Sequence, residues 1–532
     1  MADKPHELTG KTDEGLLYLT AKGKKRLSPW VTDIDGAVYA FKQAADPQAV
    51  SAAMARLSRN ANDLRTIIAS EFMDDKAREL GLLRRVVNQF GDDSVMQLYP
   101  VQMVFEGVSN LATKEIEWGR LAAYLEQSTR YLRFDRKDSE GNYAYVVPAE
   151  LDGETAKVYK QSLDEIFDIY SSLYTQLKAH IMEHTDVPEA EQDAAWRTAC
   201  HAQACDGVRS LLPAATKATV GVVGSAQAIN NMIQHLRAHE LPEMHDLGQK
   251  ALGAVRQVAP VFFERTDLPT RGDLIVNHHR QTRSQTAALA SRLLGSLTGA
   301  TIVQGPYVKL LGVDDSEDGL IAKILADTST YPYEAIQATV STLSPKQKQN
   351  IINTYVGERY NRRAKPGRAF EFPHYTFEVQ CDYGAFRDIQ RHRLVDGLEW
   401  QPLTIVLGHA TPSAVKAVRL EKAYRRAVEV SEELYQTLKD RGYADQAQYA
   451  TLFGHTMRFT VKMNARSLIH TAELRTSSQG HPSYRRVYQD MYDLVAQVHP
   501  AIAKAMRFVS KDEDEKLARL GAERYSQAKF AG

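Results

Sequence analysis

Three short stretches of this chain occur twice, in the same order. Phe105-Glu106 returns as Phe377-Glu378. Leu173-Tyr174-x-x-Leu177-Lys178 returns as Leu434-Tyr435-x-x-Leu438-Lys439, and Val255-x-Gln257-Val258-x-Pro260 as Val495-x-Gln497-Val498-x-Pro500. Each match is weak alone, but chance explains their shared order poorly. The offsets are 272, 261 and 240 residues, so the repeated unit is a whole domain with insertions and deletions, not a short solenoid repeat. A chain of 532 residues agrees, because a single core rarely grows that large.

Composition excludes several classes. Lys+Arg and Asp+Glu are both 66, which argues against a broad electrostatic nucleic-acid binder but allows a local cationic pocket. With 43% hydrophobic and 25% charged residues, the chain reads as soluble and globular. No run approaches the roughly 18 apolar residues of a membrane span, and the first residues lack the apolar core of a signal peptide. Three cysteines exclude a disulfide scaffold and suit a reducing, cytoplasmic setting. Cys200 and Cys205 have no second pair to complete a zinc site, so no metal is expected.

The periodicity is mainly helical. Leu163, Ile166, Phe167, Tyr170, Leu173, Tyr174 and Leu177 recur at spacings of three and four, one apolar stripe on a helix. Val415, Val418, Ala427, Val428, Leu434, Tyr435 and Leu438 predict a second helix, from Ser413 after Pro412 to Gly442. Strand signals are shorter: 102–106, 374–379 and 307–311. Residues 266–305 read as a connector with some helix around 284–298, which separates a first domain, 1–265, from a second, 306–532. The charged tail after Ser510 is expected to fray.

Polar residues of chemical interest form three groups. The second half carries Arg391-His392-Arg393 with Glu399, and then Asn464-Ala465-Arg466, His470 and Glu473-Leu474-Arg475. The first half carries Glu126-Gln-Ser128-Thr-Arg130-Tyr131. A helical reading of this last group sets Ser128 and Arg130 near the C-terminal end of the apolar 111–125 segment. Guanidinium forks stay charged and bind in two places, which suits a phosphate and an electron-rich heterocycle. A solvated basic face is the ordinary alternative for Arg391-His392-Arg393.

These residues resemble the flavin-dependent thymidylate synthases, whose signature reads Arg-His-Arg-x-x-Ser-x-Asn-Glu-x-Ser-x-Arg-Tyr. The second half keeps Arg391, His392, Arg393 and Glu399 and then departs: Asp396, Leu398, Gln401, Leu403 and Thr404 replace Ser, Asn, Ser, Arg and Tyr. The first half has Trp118 and Gly119 in place of the first Arg and the His, but keeps Arg120, Glu126, Ser128, Arg130 and Tyr131. Gly91-Asp-Asp-Ser94-Val95 resembles the family's Gly-His-x-Ser-Val turn. Farther along, the second half matches the family's Asn-x-Arg, His and Glu-Leu-Arg elements with Asn464, Arg466, His470 and Arg475. The first half has Ser225-Ala-Gln227 for Asn-x-Arg, though it keeps His235-Leu236-Arg237. Conversely, the family's Arg-x-x-Leu-Pro survives only in the first half, as Arg209-Ser-Leu-Leu212-Pro213. The halves have lost opposite parts of one pattern.

The resemblance implies an α+β fold of two tandem domains, each a small, mostly antiparallel sheet with long helices. It implies one composite site, its mirror decayed, that methylates deoxyuridine monophosphate with FAD, NADPH and methylenetetrahydrofolate. Glu126, Ser128, Arg130, Arg209 and Arg391 would bind the nucleotide, Glu126 also bridging to the flavin. Arg475 would lie against the uracil edge as the catalytic cation. Arg391, His392, Arg393, Asn464, Arg466 and His470 would contact FAD. The expected assembly is a homodimer acting as a pseudo-tetramer, without nucleic acid or membrane partners. Asp388 stands where the family has Gln, and a carboxylate there repels a phosphorylated substrate unless Arg391 or Arg387 pairs with it. The alternatives are a non-catalytic flavin- or nucleotide-binding homologue and an enzyme acting on uracil in RNA.

Overall fold

The structure is a computed structural model that describes residues 5–13, 16–57, 60–73, 76–85, 93–295, 302–512 and 516–530. Gly91 and Asp92 of the predicted turn, and 296–301 of the predicted connector, lie outside these. The chain divides into two compact units. The first comprises Met1–Phe105, Glu115–Glu126 and Thr219–Thr298; the second comprises Glu106–Lys114, Gln127–Ala218 and Gly299–Gly532. Residues 127–218 of the first half are therefore in the same unit as the whole second half.

The fold is α+β, and its topology repeats. Strands β1 (Pro100–Ser109), β2 (Ala122–Glu126) and β3 (Lys217–Ser225) form a sheet in the order β1-β3-β2. Four later strands, β4 (Tyr307–Asp314), β5 (His374–Asp382), β6 (Gly397–Trp400) and β7 (Thr456–Asn464), form a second in the order β4-β5-β7-β6. Without β4, the two orders are the same. The second sheet is antiparallel throughout, with His374 opposite Asn464 and Gly397 opposite Lys462.

The helices repeat the pattern. Strand β1 runs directly into α1 (Asn110–Ile116), where the Ser109 hydroxyl accepts from Ala112 N at 2.9 Å. Strand β5 runs directly into α2 (Tyr383–Gln390), where the Asp382 carboxylate accepts from Ala385 N at 2.9 Å. Ser225 caps α3 (Ala226–Arg237), and Asn464 caps α4 (Ala465–Arg475). Each then gives way to a helix opened by proline, α5 (Pro242–Val258) and α6 (Pro482–Val498). Ser, Asp and Asn serve here because a short side-chain oxygen reaches the orphan N–H groups of the first turn.

The core of the second unit follows the apolar stripes. Helix α7 (Gly153–Glu183) buries all seven residues of its predicted stripe and packs on α8 (Glu421–Asp440), which buries Ala427, Val428, Leu434, Tyr435 and Leu438. The predicted helix over 413–442 is in fact two, Ser413–Ala417 and α8. Arg419 between them has φ 56°, a left-handed conformation that no α-helix accommodates. The predicted stop holds: Gly442 has φ 88°, and Tyr443 N bonds the Leu438 carbonyl at 2.8 Å.

Three further expectations need correction. Residues 126–131 are not helical: Glu126 ends β2, opposite Val220, and an irregular loop follows. The Ser128 hydroxyl accepts from Arg130 N at 3.2 Å, a local bond that competes with helix formation. The helix near the connector runs over Gly272–Leu294, starting earlier than predicted, at a glycine whose Cβ would collide with the Thr266 carbonyl. The tail does not simply fray, since Leu520–Phe530 forms a helix, α9, packed on α10 (Ala194–Val208). Among the described residues no helix is long and apolar enough to cross a membrane.

Candidate functional site

Helix α2 is buried along its whole length, including Arg387 and Asp388, so these charges need partners inside the protein. Arg387 donates to Thr129 Oγ1 at 3.3 Å and lies over the Phe453 ring. Asp388 Oδ1 accepts from Arg391, one turn on, and from Arg475 Nη1 at 3.3 Å. Its Oδ2 accepts from Arg209 Nη1 at 3.5 Å, and its backbone carbonyl from Arg475 Nη2 at 2.6 Å. Burial works against its ionisation, but Arg391, Arg475 and Arg209 outweigh it and hold the carboxyl far below the usual range.

Each arginine arrives on a firmly held element. Arg475 ends α4, which Glu473 anchors: its fully buried carboxylate takes both Nη atoms of Arg359 at 2.6 Å. Glu473 is therefore structural, and only the arginine of Glu-Leu-Arg reaches the cluster. Arg475 Nε donates to His392 Nε2 at 2.7 Å, so that nitrogen carries a lone pair and the ring's proton is assigned to Nδ1. Burial, with Arg475 and His470 nearby, keeps this imidazole neutral. Arg209 caps α10 and is 3% exposed; its Nη2 has no hydrogen-bond partner. Arg130 grips Asp206 of α10 with Nε and Nη2, at 2.8 and 2.7 Å, and donates through Nη1 to Tyr484 Oη at 2.7 Å. Arg519, from the tail, donates to the same Asp206 at 2.6 Å.

Two cavities flank this cluster. The larger, about 870 Å³, is lined by Arg130, Asp206, Arg209, Asp382, His481 and Arg519, among others. The smaller, about 160 Å³, is lined by Lys365, Arg391, His392, Arg393, Arg466 and His470. Asp388 joins them, since its partner Arg209 lines the first and its partner Arg391 the second. The guanidiniums of Arg130, Arg209, Arg387, Arg391, Arg475 and Arg519 outnumber the carboxylates of Asp206, Asp382 and Asp388 among these groups. Burial raises the Asp382 carboxyl, weakening its counter-charge further. The unpartnered Nη2 of the buried Arg209 is a donor that an anionic group could satisfy.

The remaining predicted residues are placed as follows. Ser128 lies in the loop with Arg130. Asn464 uses its side-chain oxygen as the cap of α4, bonding Ser467 N at 2.9 Å. Arg466 bonds the Pro366 carbonyl at 2.8 Å. His470 Nδ1 has no partner, and burial, with Lys365 and Arg362 nearby, pushes its imidazole down to about 4. Glu126 is buried at the end of β2, in the first unit. Glu399 is exposed on β6. Sequence reasoning missed Asp206, three residues before the Arg209 motif, Tyr484, nine after Arg475, and Arg519, which lies far beyond the motifs in the tail. It also missed Lys365, for which the basic run Arg362-Arg363-Ala-Lys365 was a signal.

The first unit holds the degenerate counterpart. Glu115 stands three residues before Trp118, as Asp388 stands three before Arg391. Where the second unit has a guanidinium, Trp118 stacks on His235 at 4.3 Å, and His235 bonds Glu115 at 2.8 Å. Arg237 is tied to Asp273 at 2.9 Å and to the Thr266 carbonyl at 3.1 Å. No cluster of guanidiniums surrounds Glu115 among the described residues.

Fold and site together define a protein of duplicated α+β domains with an arginine-rich cluster around the buried Asp388. The sequence model of the family described as thymidylate synthase complementing protein matches this chain twice, over residues 41–261 and 309–501. The chain belongs to that family, as a tandem duplication of its domain. It is similar to a UPF0159 protein of Chlamydia muridarum, 31% identical over 94% of this chain and 97% of that protein. It is also similar to a flavin-dependent thymidylate synthase of Clostridium tetani, 24% identical over 33% of this chain and 66% of that one. A crystal structure of a UMP/dUMP methylase from Streptomyces cacaoi, bound with 5-Br dUMP, aligns with 38% of this chain and 95% of its own at 19% identity and a TM-score of 0.31.

Proposed function

We propose that this protein methylates a uracil nucleotide, deoxyuridine monophosphate, with methylenetetrahydrofolate as carbon donor and NADPH as reductant, at one FAD-dependent site in its second unit. The observation that carries the reading is the convergence on Asp388. Arg209, from the half that keeps the nucleotide-gripping motif, and Arg391 and Arg475, from the half that keeps the other motif, share that carboxylate. Complementary motif loss and spatial convergence are independent observations, and they agree.

In this reading Arg130, Arg209 and the Ser128 hydroxyl hold the nucleotide phosphate, and the orphan Nη2 of Arg209 finds its acceptor there. Arg475 faces the uracil edge. Clamped by the Asp388 carbonyl and His392, it is already oriented when negative charge develops on the ring nitrogen, and that charge makes the ring carbon nucleophilic. Burial pushes all three cysteine thiols up, Cys205 to about 12, so none is a thiolate at neutral pH. Activation of the ring therefore falls to fixed charge.

Arg391, His392, Arg393, Arg466 and His470, with Lys365, fit the phosphate-bearing part of FAD: the lining is strongly cationic, and His470 Nδ1 is unpartnered. A cavity of about 160 Å³ is near the size that encloses one benzene ring, so this recess grips only part of such a group. The bound flavin supplies the hydride. His392 and Asp388 keep Arg391 and Arg475 from swinging into solvent. The proposed assembly is a homodimer in which each chain carries a complete site.

Asp388 also favours a second reading, a homologue that binds without turnover, because an internal carboxylate already occupies forks meant for a ligand. One experiment separates the two. The purified protein should absorb in the visible, deoxyuridine monophosphate should shift that band, and NADPH should be consumed only with nucleotide and folate donor both present. Flavin and nucleotide binding without consumption selects the second reading. Absence of both flavin and nucleotide binding sinks the first and second alike.

A further inference from the structure

The family's match ends at residue 501, and Arg519 lies beyond it. Yet Arg519 is 7% exposed and lines the larger cavity beside Arg130. Its Nη2 donates to Asp206 Oδ2 at 2.6 Å, the oxygen that already accepts from Arg130 Nη2 at 2.7 Å. Its Nη1 faces the Arg130 carbonyl at 3.4 Å, and its guanidinium lies over the Tyr131 ring at 4.7 Å. One carboxylate thus serves two guanidiniums, Arg519 buried and Arg130 part-buried, and can neutralise only one. Burial of an uncompensated guanidinium is costly, so this pair lacks an anion.

The segment that brings Arg519 is held in place for this. Helix α9 packs on α10, the helix that carries Asp206. Leu517 N bonds Gln203 Oε1 at 2.9 Å, and Leu517 takes φ 48°, a conformation sparsely populated by branched residues. Away from the cavity, Arg524 pairs with Glu191 at 3.2 Å and Asp193 at 3.4 Å. A strained turn held from both sides, with a guanidinium delivered into a cavity, is characteristic of a binding loop.

We propose that the C-terminal strap is part of the active site and that Arg519, paired with Arg130 on Asp206, clamps the phosphate of the nucleotide. This rests on the nucleotide reading above and deepens it. The strap gives the site a phosphate ligand that the motifs of the matched segments lack, and it selects phosphorylated over free nucleosides. Two forks side by side offer a phosphate more donors than Asp206 can use, and the planar guanidinium matches its oxygens.

The test compares deoxyuridine monophosphate with deoxyuridine in the full-length protein, each read by competition against a fluorescent analogue of the nucleotide. Arg519→Ala should weaken the monophosphate about ten- to a hundredfold, the range expected when a charge-assisted bond is lost, and leave deoxyuridine within about twofold. Arg519→Lys, which keeps charge and loses the fork, should fall between and guards against misfolding. Arg524→Ala, which loosens the strap outside the cavity, should weaken the monophosphate less than Arg519→Ala does and leave deoxyuridine unchanged. Equal losses for both ligands from Arg519→Ala, or no loss, overturn the proposal and leave Arg519 a structural anchor. A wild-type protein that binds neither ligand overturns the nucleotide reading, and the clamp with it.

Discussion

Asp388→Asn probes the charge balance of the cluster directly. Asp388 is 5% exposed, and its carboxylate takes bonds from Arg391, Arg475 and Arg209. Asparagine keeps the shape and one acceptor oxygen but removes the charge. Breaking a buried ion pair by deleting one partner costs about 3–5 kcal/mol. Two of these bonds are long, 3.3 and 3.5 Å, which argues for the lower end, about 3 kcal/mol. A bound phosphate can replace the lost negative charge, and any ligand present at a hundredfold excess over its Kd adds about 2.7 kcal/mol to the native state. The variant should therefore unfold at lower denaturant than wild type without nucleotide, and recover most of the deficit with it. The assay is urea unfolding followed by tryptophan fluorescence, with and without deoxyuridine monophosphate. Wild-type stability in the nucleotide-free variant, or a nucleotide-induced gain smaller than wild type's, would refute the claim that Asp388 stands in for a ligand charge.

Three more outcomes follow from the same geometry. Arg475→Ala should lower turnover by about a hundred- to a thousandfold, as loss of a fixed charge-stabilising donor does, with flavin retained. Arg237→Ala, at the counterpart position, should lower the melting temperature and leave turnover per folded molecule unchanged; equal kinetic loss from both removes the single-site account. His481 is held neutral by burial and Arg209, down to about 3. The unfolded chain takes up its proton below about pH 6.5 while the folded one does not, so stability falls as pH drops from there towards 3, by at most about 1.4 kcal/mol per unit. His481→Asn, which preserves the cap of α6, should flatten that slope in unfolding titrations. Finally, a thiol reagent at pH 8 should leave Cys200, Cys205 and Cys381 unmodified until denaturant is added, because all three are buried; rapid labelling of the native protein contradicts that.

Much of the architecture was legible before any coordinates. The stripe of α7 and the core face of α8 follow from spacing alone, because a helix puts every third and fourth residue on one side. The duplication was legible because three short stretches recur in the same order, among them Leu173-Tyr174-x-x-Leu177-Lys178 and Leu434-Tyr435-x-x-Leu438-Lys439. The expected helix over 126–131 failed because backbone pairing with β3 overrides local pattern at β2, and a hydroxyl bond then turns the chain. The single helix over 413–442 failed at Arg419, where apolar periodicity continues on either side of a backbone break.

By itself the sequence determined the repeated α+β domains, the helical faces and the inventory of arginines, since each depends on residues near one another along the chain. Tertiary structure decided which of those arginines meet. Packing put residues 127–218 in one unit with the second half, brought Arg209, Arg391 and Arg475 onto Asp388, and returned Arg519 from the tail to Asp206. Spacing encodes which side of an element a residue faces; only the packing of distant elements fixes which charges become neighbours.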